Sequence, residues 1–371
     1  MLGATRHSRD APRLRDSFTS VRGAIVGLGN VAVHGHLPGW LERPDVEIVA
    51  VSDMRPAQRA VGAERLPEAH WFDSAESLLA DTRLDFVDIC TPPSSHARLI
   101  RAALERGVHV LCEKPLVRSA DELGPVTELV RASGCVLHTV HNWHHAPIVR
   151  LAADLLRAGE IGRPTRVVWH TLRTQPAAAG DGQGDNWRLD PAVAGGGVLS
   201  DHGWHVCYVI QRWLGTRPLA VQARLETRRH TGSRVEDTAA LSITFADAVA
   251  EVLLTWAADE RRNWALIEGE SGRIELHDDT LILTGTGAER RWACPPLSNG
   301  SHHPEWFGAV AGAFLSEIAG EAPTGTNLAE ASLCVMVESL ARESSRRGGA
   351  TLGLSPWPSP SIGPSAHSRA T

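Results

Sequence analysis

One residue stands apart by type. The chain holds 37 lysines and arginines together, and only Lys114, in the stretch C-E-K-P-L, is a lysine. Wherever a plain cation suffices, this chain uses arginine. A position that keeps the compact ammonium points to chemistry that arginine lacks: a pKa that shifts on burial, and a proton that can be given up. A second reactive pair lies in G-G-G-V-L-S-D-H-G-W-H. A helix running from Val198 projects Asp201 and His205 from one face, together with Tyr208 and Arg212. Leu199, His202, Val206, Val209, Ile210 and Trp213 then form the core-facing stripe. A histidine beside a carboxylate is a natural general base near neutral pH.

A third motif supplies a place for a redox partner. The apolar run V-R-G-A-I-V-G flows into G-L-G-N-V-A, with Gly27, Gly29 and Ala32 at the three positions of a dinucleotide turn. The first glycine permits the tight turn and the second lets a pyrophosphate approach. The helix that follows, opening at Asn30 and Val31, offers its free N–H groups. Asp53 ends the next apolar run, roughly 20 residues further on, where a ribose-binding acid belongs. Its charge favours NAD because it repels a 2′-phosphate, and Arg55 nearby keeps NADP open as the alternative.

Further apolar, β-branched runs at 86–92, 108–115 and 135–140 alternate with helical segments such as 94–107. That alternation predicts an α/β, doubly wound parallel sheet, a Rossmann fold. Lys114 and T-P-P-S-S-H (91–96) both lie just past strands, at the carboxyl edge where such sheets bind ligands.

After residue 141 the rhythm changes. A helix near 146–158 precedes a strand at 164–174, a Gly-rich loop and a second helix. Successive strand-like runs then fill 218–293, joined by short turns such as G-E-S-G and H-D-D-T, which predicts an antiparallel sheet. A last helix is expected at about 328–346. The expected organisation is a disordered arm (1–20), a dinucleotide-binding Rossmann domain (21–141), a substrate-binding and oligomerisation α+β domain with a large, mostly antiparallel sheet (142–354), and a disordered tail (355–371). One apolar sheet face implies a homodimer or homotetramer.

Bulk properties exclude several classes. A net charge of −6 and a pI of about 6.3 suit neither nucleic acid nor an anionic membrane. No apolar run approaches the roughly 18 residues of a membrane span, and the N-terminus lacks the apolar core of a secretory signal. Six scattered cysteines without a C-x-x-C pair fit reduced thiols in a cytoplasm. The histidines at 141, 144, 145, 202 and 205 sit without cysteine and without a known ligand spacing, so no metal is expected. The only tyrosine, Tyr208, is followed four residues on by Arg212, which excludes Tyr-x-x-x-Lys dehydrogenase chemistry. Asn142, Trp143, His144, Trp187 and Arg188 offer the polar ends and aromatic faces that grip a sugar.

In this order, G-L-G-N-V-A-V-H-G-H-L-P, V-S-D, T-P-P-S-S-H, E-K-P, W-R-L-D…G-G-G-V-L-S-D-H-G-W-H and V-E-D-T-A-A-L-S-I-T-F make the chain resemble the Gfo/Idh/MocA oxidoreductases over about residues 21–354. The resemblance implies NAD or NADP in the first domain and a sugar, cyclitol or similar polyol in the cleft facing the second sheet. It implies that Lys114 bonds the reacting hydroxyl and the nicotinamide ribose, that His205 is the acid/base, and that Asp201 orients it or contacts substrate. Glu113, Thr91, Pro92 and His96 would help seat the nicotinamide half. Two departures stand out: Pro93 replaces the usual asparagine of the third-strand signature, and His202 and Trp204 are bulky for their positions. Redox-neutral glycoside cleavage and a non-catalytic dinucleotide or sugar sensor are the rival readings of the same motifs.

Overall fold

The computed structural model describes residues 20–178, 186–300 and 302–355. The arm and tail expected at the ends lie almost wholly outside the described residues.

The first sheet contains β1 (Val21–Val26), β2 (Val46–Ser52), β3 (His70–Phe72), β4 (Phe86–Ile89), β5 (His109–Cys112) and β6 (Leu137–Thr139). Its order is β3-β2-β1-β4-β5-β6, and every pairing is parallel. Strand order reverses between β1 and β4, which opens a crevice at their carboxyl ends. The short strand β3 has no counterpart in the sequence reading, because three residues carry too little periodicity.

Among the described residues the second sheet has nine strands: β7 (Pro164–Leu172), β8 (Ala220–Glu226), β9 (Thr238–Thr244), β10 (Val249–Thr255), β11 (Arg262–Gly269), β12 (Gly272–His277), β13 (Thr280–Thr284), β14 (Arg290–Ala293) and β15 (Leu352–Gly353). Their order is β14-β13-β12-β11-β7-β10-β9-β8-β15. Only β7 and β10 pair in parallel; the other neighbours are antiparallel. Alternation sets the faces. Val167, Trp169, Ala250, Val252, Ala265 and Ile267 are buried on the inner face, where the Trp169 ring lies 5.9 Å from Trp143 and 5.4 Å from Trp213.

A helix over Pro304–Ile318 escaped the sequence reading. Its residues are apolar nearly all round, so no polar stripe marks a 3.6-residue period. Phe307, Val310 and Phe314 join Ile25, Phe86 and Leu111 in one core cluster. The chain therefore crosses back from the region of the second sheet to cover the first.

Candidate active site

β1 ends at Val26 and the chain turns at Gly27. The φ there is +92°, and a Cβ would lie 2.9 Å from Thr91 Cγ2 and 3.0 Å from the Cys90 backbone, so only glycine fits. Gly29 is different: among the described residues, the Arg55 guanidinium, 3.9 Å away, is the only group within 4 Å of its missing Cβ. A turn closed behind and open above is the cradle a pyrophosphate needs. Asn30 is exposed and Val31 half-buried at its mouth. Asp53 stands at the expected edge, but its carboxylate already accepts the Leu28 N–H at 2.8 Å and is bridged by the Arg55 guanidinium at 3.0–3.1 Å.

Glu113 and Lys114 follow β5. Buried Glu113 accepts the Lys114 backbone N–H at 2.9 Å, and its other oxygen lies 3.0 Å from His36 Nε2. His36 Nδ1 is 2.9 Å from Asp88, which also accepts the Trp40 indole N–H at 2.8 Å. Burial opposes a charge on His36, yet Asp88 and Cys90 raise its pKa well above the usual value. Burial likewise opposes ionisation of Glu113, and His36 more than offsets it. Acidic and basic side chains thus alternate in the order Asp88, His36, Glu113, Lys114, Asp201.

His96 is wholly buried, with its ring nitrogens 2.9 Å from Pro115 O and 2.8 Å from Thr91 O. It ties the loop after β4 to the loop after β5. Glu113 and His96 therefore hold the carboxyl edge of the sheet through backbone, from behind. Pro93 heads a tight turn over Pro93–Ser95, closed by Ser95 N–H on Pro92 O at 3.1 Å and by Ser95 Oγ on Thr91 Oγ1 at 2.7 Å. The turn survives without the asparagine.

The helix expected from Val198 begins as a π turn, Leu199–Gly203, and becomes α-helical at Trp204–Leu214. Its wider winding breaks the predicted faces. His202 leaves the core stripe and puts Nε2 3.5 Å from Asp201 Oδ2. Lys114 Nζ donates to Asp201 O at 2.8 Å and Oδ1 at 3.3 Å. Asp201 does not orient His205 through a hydrogen bond. Instead His205 Nδ1 lies 2.8 Å from the Tyr208 hydroxyl, which accepts the Trp143 N–H at 3.0 Å. The Trp143 ring stacks on the imidazole at 4.6 Å and 11°.

Burial pushes His205 well below its ordinary pKa, and Lys114 and His202 add to this. Burial takes His202 down to about 3 despite Asp201 beside it. Burial works against the Asp201 charge, but His202, Lys114 and Arg188 outweigh it and hold that carboxyl below its usual range.

The π turn is anchored from below by groups to which the sequence reading gave no role. A Cβ on Gly197 would lie 1.9 Å from Glu236 O. Glu236 accepts the Gly197 and Leu199 N–H groups at 3.0 and 3.2 Å. Arg342 then bonds Glu236, Glu338 and Ser200 Oγ at 2.8–3.2 Å.

Residues 21–141 match the family described as "Oxidoreductase family, NAD-binding Rossmann fold", and residues 149–275 match its GFO/IDH/MocA C-terminal domain. The chain belongs to the GFO/IDH/MocA oxidoreductase family. D-xylose 1-dehydrogenase (NADP(+)) 2 of Haloferax volcanii is 33% identical over 269 residues, covering 72% of this chain and 79% of that one. Levoglucosan dehydrogenase of Pseudarthrobacter phenanthrenivorans is 27% identical over 282 residues, 68% of this chain and 72% of that one. In fold, the chain resembles levoglucosan dehydrogenase solved with NADH and levoglucosan: TM-score 0.79 over 91% of this chain and 99% of that one, at 23% identity.

The expected substrate residues of this GFO/IDH/MocA oxidoreductase divide. Trp187 and Arg188 share a turn, Trp187–Leu189, with the guanidinium 4.3 Å over the indole. Asn142 is half-buried, with an unpartnered Oδ1. His144 departs from expectation. The turn Asn142–His145 carries it under Tyr208, where Glu330 holds its Nε2 at 2.9 Å.

Two clusters also emerge that spacing did not foretell: His141, His144 and Glu330, and His36, Asp88 and Cys90. In each, possible metal-ligand atoms lie within 4.8 Å of one another. Hydrogen bonds engage both sets, since Glu330 bonds both histidines and Asp88 bonds His36 and Trp40.

Proposed function

We propose that this oxidoreductase interconverts a secondary alcohol and a ketone on a sugar, amino sugar, sugar nucleotide or cyclitol, with NAD as hydride carrier and NADP as the alternative. The observation that carries the reading is the convergence of Lys114, Asp201, His202 and His205 at the carboxyl edge of the dinucleotide-binding sheet. Gly27, Gly29, Asn30 and Val31 cradle the pyrophosphate, and Asp53 and Arg55 take the adenosine ribose. Thr91, Pro92 and Lys114 border the nicotinamide end. When bound, the dinucleotide supplies the hydride acceptor or donor.

Lys114 Nζ and His205 Nε2 flank the reacting oxygen. The Lys114 ammonium, fixed by Asp201, stabilises developing alkoxide charge. Asn142, Trp187 and Arg188 grip the remainder of the ring. Relatives named for xylose and levoglucosan support the sugar class.

A cytoplasmic location accords with six cysteines outside any disulfide. Among the described residues no helix is long and apolar enough to cross a membrane. A homodimer or homotetramer forms through the outer face of the second sheet, where Leu253, Trp264 and Leu266 stay half-buried.

The test is nicotinamide absorbance during incubation with NAD or NADP and a panel of inositols, aldoses, amino sugars and nucleotide sugars. Turnover with one cofactor is expected. Glycoside cleavage without net reduced nicotinamide would overturn the dehydrogenase assignment.

A further inference from the structure

The hydroxyl of Tyr208, the only tyrosine in the chain, lies at a decisive point. The ring is 0% exposed. Its oxygen accepts the Trp143 backbone N–H at 3.0 Å, a contact in which the donor is fixed by chemistry. The phenol must still place its own hydrogen. Among the described residues the one acceptor within hydrogen-bonding distance is His205 Nδ1, at 2.8 Å.

Two arrangements are open to that pair. In one, the phenol donates to Nδ1, and the neutral imidazole carries its hydrogen on Nε2. In the other, Nδ1–H donates to the phenol oxygen, which then accepts twice while its own hydrogen stays buried without an acceptor. An unmet buried donor disfavours the second by a factor on the order of tenfold or more. Protonating Nδ1 demands the same loss, consistent with the depressed basicity of His205. Trp143, stacked flat on the ring, resists the flip that would exchange the nitrogens.

We propose that Tyr208 is a positioning residue that fixes His205 as the Nε2–H tautomer, so that His205 only donates a hydrogen bond to the reacting oxygen and Lys114 carries the proton. This rests on the alcohol–ketone reading above. Lys114 Nζ has three hydrogens, and Asp201 O and Oδ1 take two. By that count one Nζ hydrogen remains for the reacting oxygen.

In the reducing direction the carbonyl carbon receives a hydride from the reduced dinucleotide. The C=O π pair moves onto oxygen, and that oxygen takes the third Nζ proton. The products are the alcohol, the oxidised dinucleotide and a neutral Lys114 amine, which recovers a proton from solvent. Oxidation runs the same steps backward, with the Lys114 amine taking the hydroxyl proton. His205 keeps its hydrogen throughout.

The direct test is the ¹⁵N shift of the His205 ring in histidine-labelled protein without substrate, assigned by its absence in His205→Gln. A pyridine-type Nδ1 and a pyrrole-type Nε2 are expected, and Tyr208→Phe should mix or reverse them. A pyrrole-type Nδ1 in the wild type overturns the proposal.

Kinetics give a second check. His205→Gln keeps an N–H donor, so it should hold kcat within about tenfold with an unchanged pH–rate profile, whereas His205→Ala should lose roughly 10²–10³. Equal losses in Gln and Ala, with a changed profile, would mark His205 as the base and sink the assignment. Correct ring shifts with no turnover of any sugar would instead refute the substrate class and leave the tautomer standing.

Discussion

At the scale of single residues, the solitary lysine sits between two acidic neighbours. Lys114 is held by Asp201 on one side and by the Glu113 loop on the other. Arginine would keep the charge but not the compact, proton-donating head. Lys114→Arg should therefore fold normally and lose at least about 10²-fold in kcat; full turnover by this variant would remove Lys114 from the chemistry. His36 offers a complementary case. Its imidazolium stands between Asp88 and Glu113, all three buried. His36→Gln leaves two carboxylates without their cation, a loss of about 3–5 kcal/mol by analogy with broken buried pairs. Denaturant melting measures it, and an unchanged midpoint would show that His36 is neutral in the folded protein.

At the scale of elements, the π turn Leu199–Gly203 decides what reaches the cleft. An α-helix through this stretch would send Asp201 and His205 out together and His202 inward. The turn instead presents Asp201 and His202, while His205 is set by its neighbour Tyr208 one turn on. The turn depends on Gly197 lying flat against Glu236. Gly197→Ala should displace the start of the turn and abolish turnover, while dinucleotide binding by the first domain persists. Activity near wild type would show that Glu236 can move. Sequence periodicity reports regular helix well and π turns poorly, because a single wider turn leaves no repeat of its own. For that reason the sequence put Tyr208 on the face of His205 but did not decide that Tyr208, and not Asp201, would bond it.

At the scale of the whole molecule, pH and assembly give two measurements. Burial lowers His141 and His145 to about 4 and His202 to about 3. An unfolded histidine titrates near 6.5. Between these values the unfolded chain binds more protons than the folded one, so stability falls as pH drops below about 6.5, by at most about 1.4 kcal/mol per pH unit per group. His36 has the opposite sign, its contribution being complete below 6.5 and lost only above its raised value. Thermal midpoints measured from pH 7 to 5 should decline; a flat profile would mean that these histidines charge in place. For assembly, the outer sheet face pairs half-buried Leu266 with buried Val168 and half-buried Trp264 with His170, and the apolar members Leu266 and Trp264 suit a partner. Light scattering should give a dimer or tetramer, and Leu266→Glu should shift it toward one chain. A monomeric wild type would refute the interface.

Residue type and order alone determined a good deal. Glycines at 27 and 29 after an apolar run, an acid after the next strand, and E-K-P at a strand end marked the family and its dinucleotide-binding fold, because such motifs are local in sequence. Alternating and helical periods located most strands of both sheets for the same local reason. Tertiary structure decided what depends on residues distant in sequence. The helix Pro304–Ile318 closes the first core, Arg342 and Glu236 brace the π turn, and His36 bridges Asp88 to Glu113. These contacts join segments tens to hundreds of residues apart, and no local period records them. The geometry around His205 belongs to the same group, since Trp143, which stacks on its ring and donates to Tyr208, comes from another part of the chain.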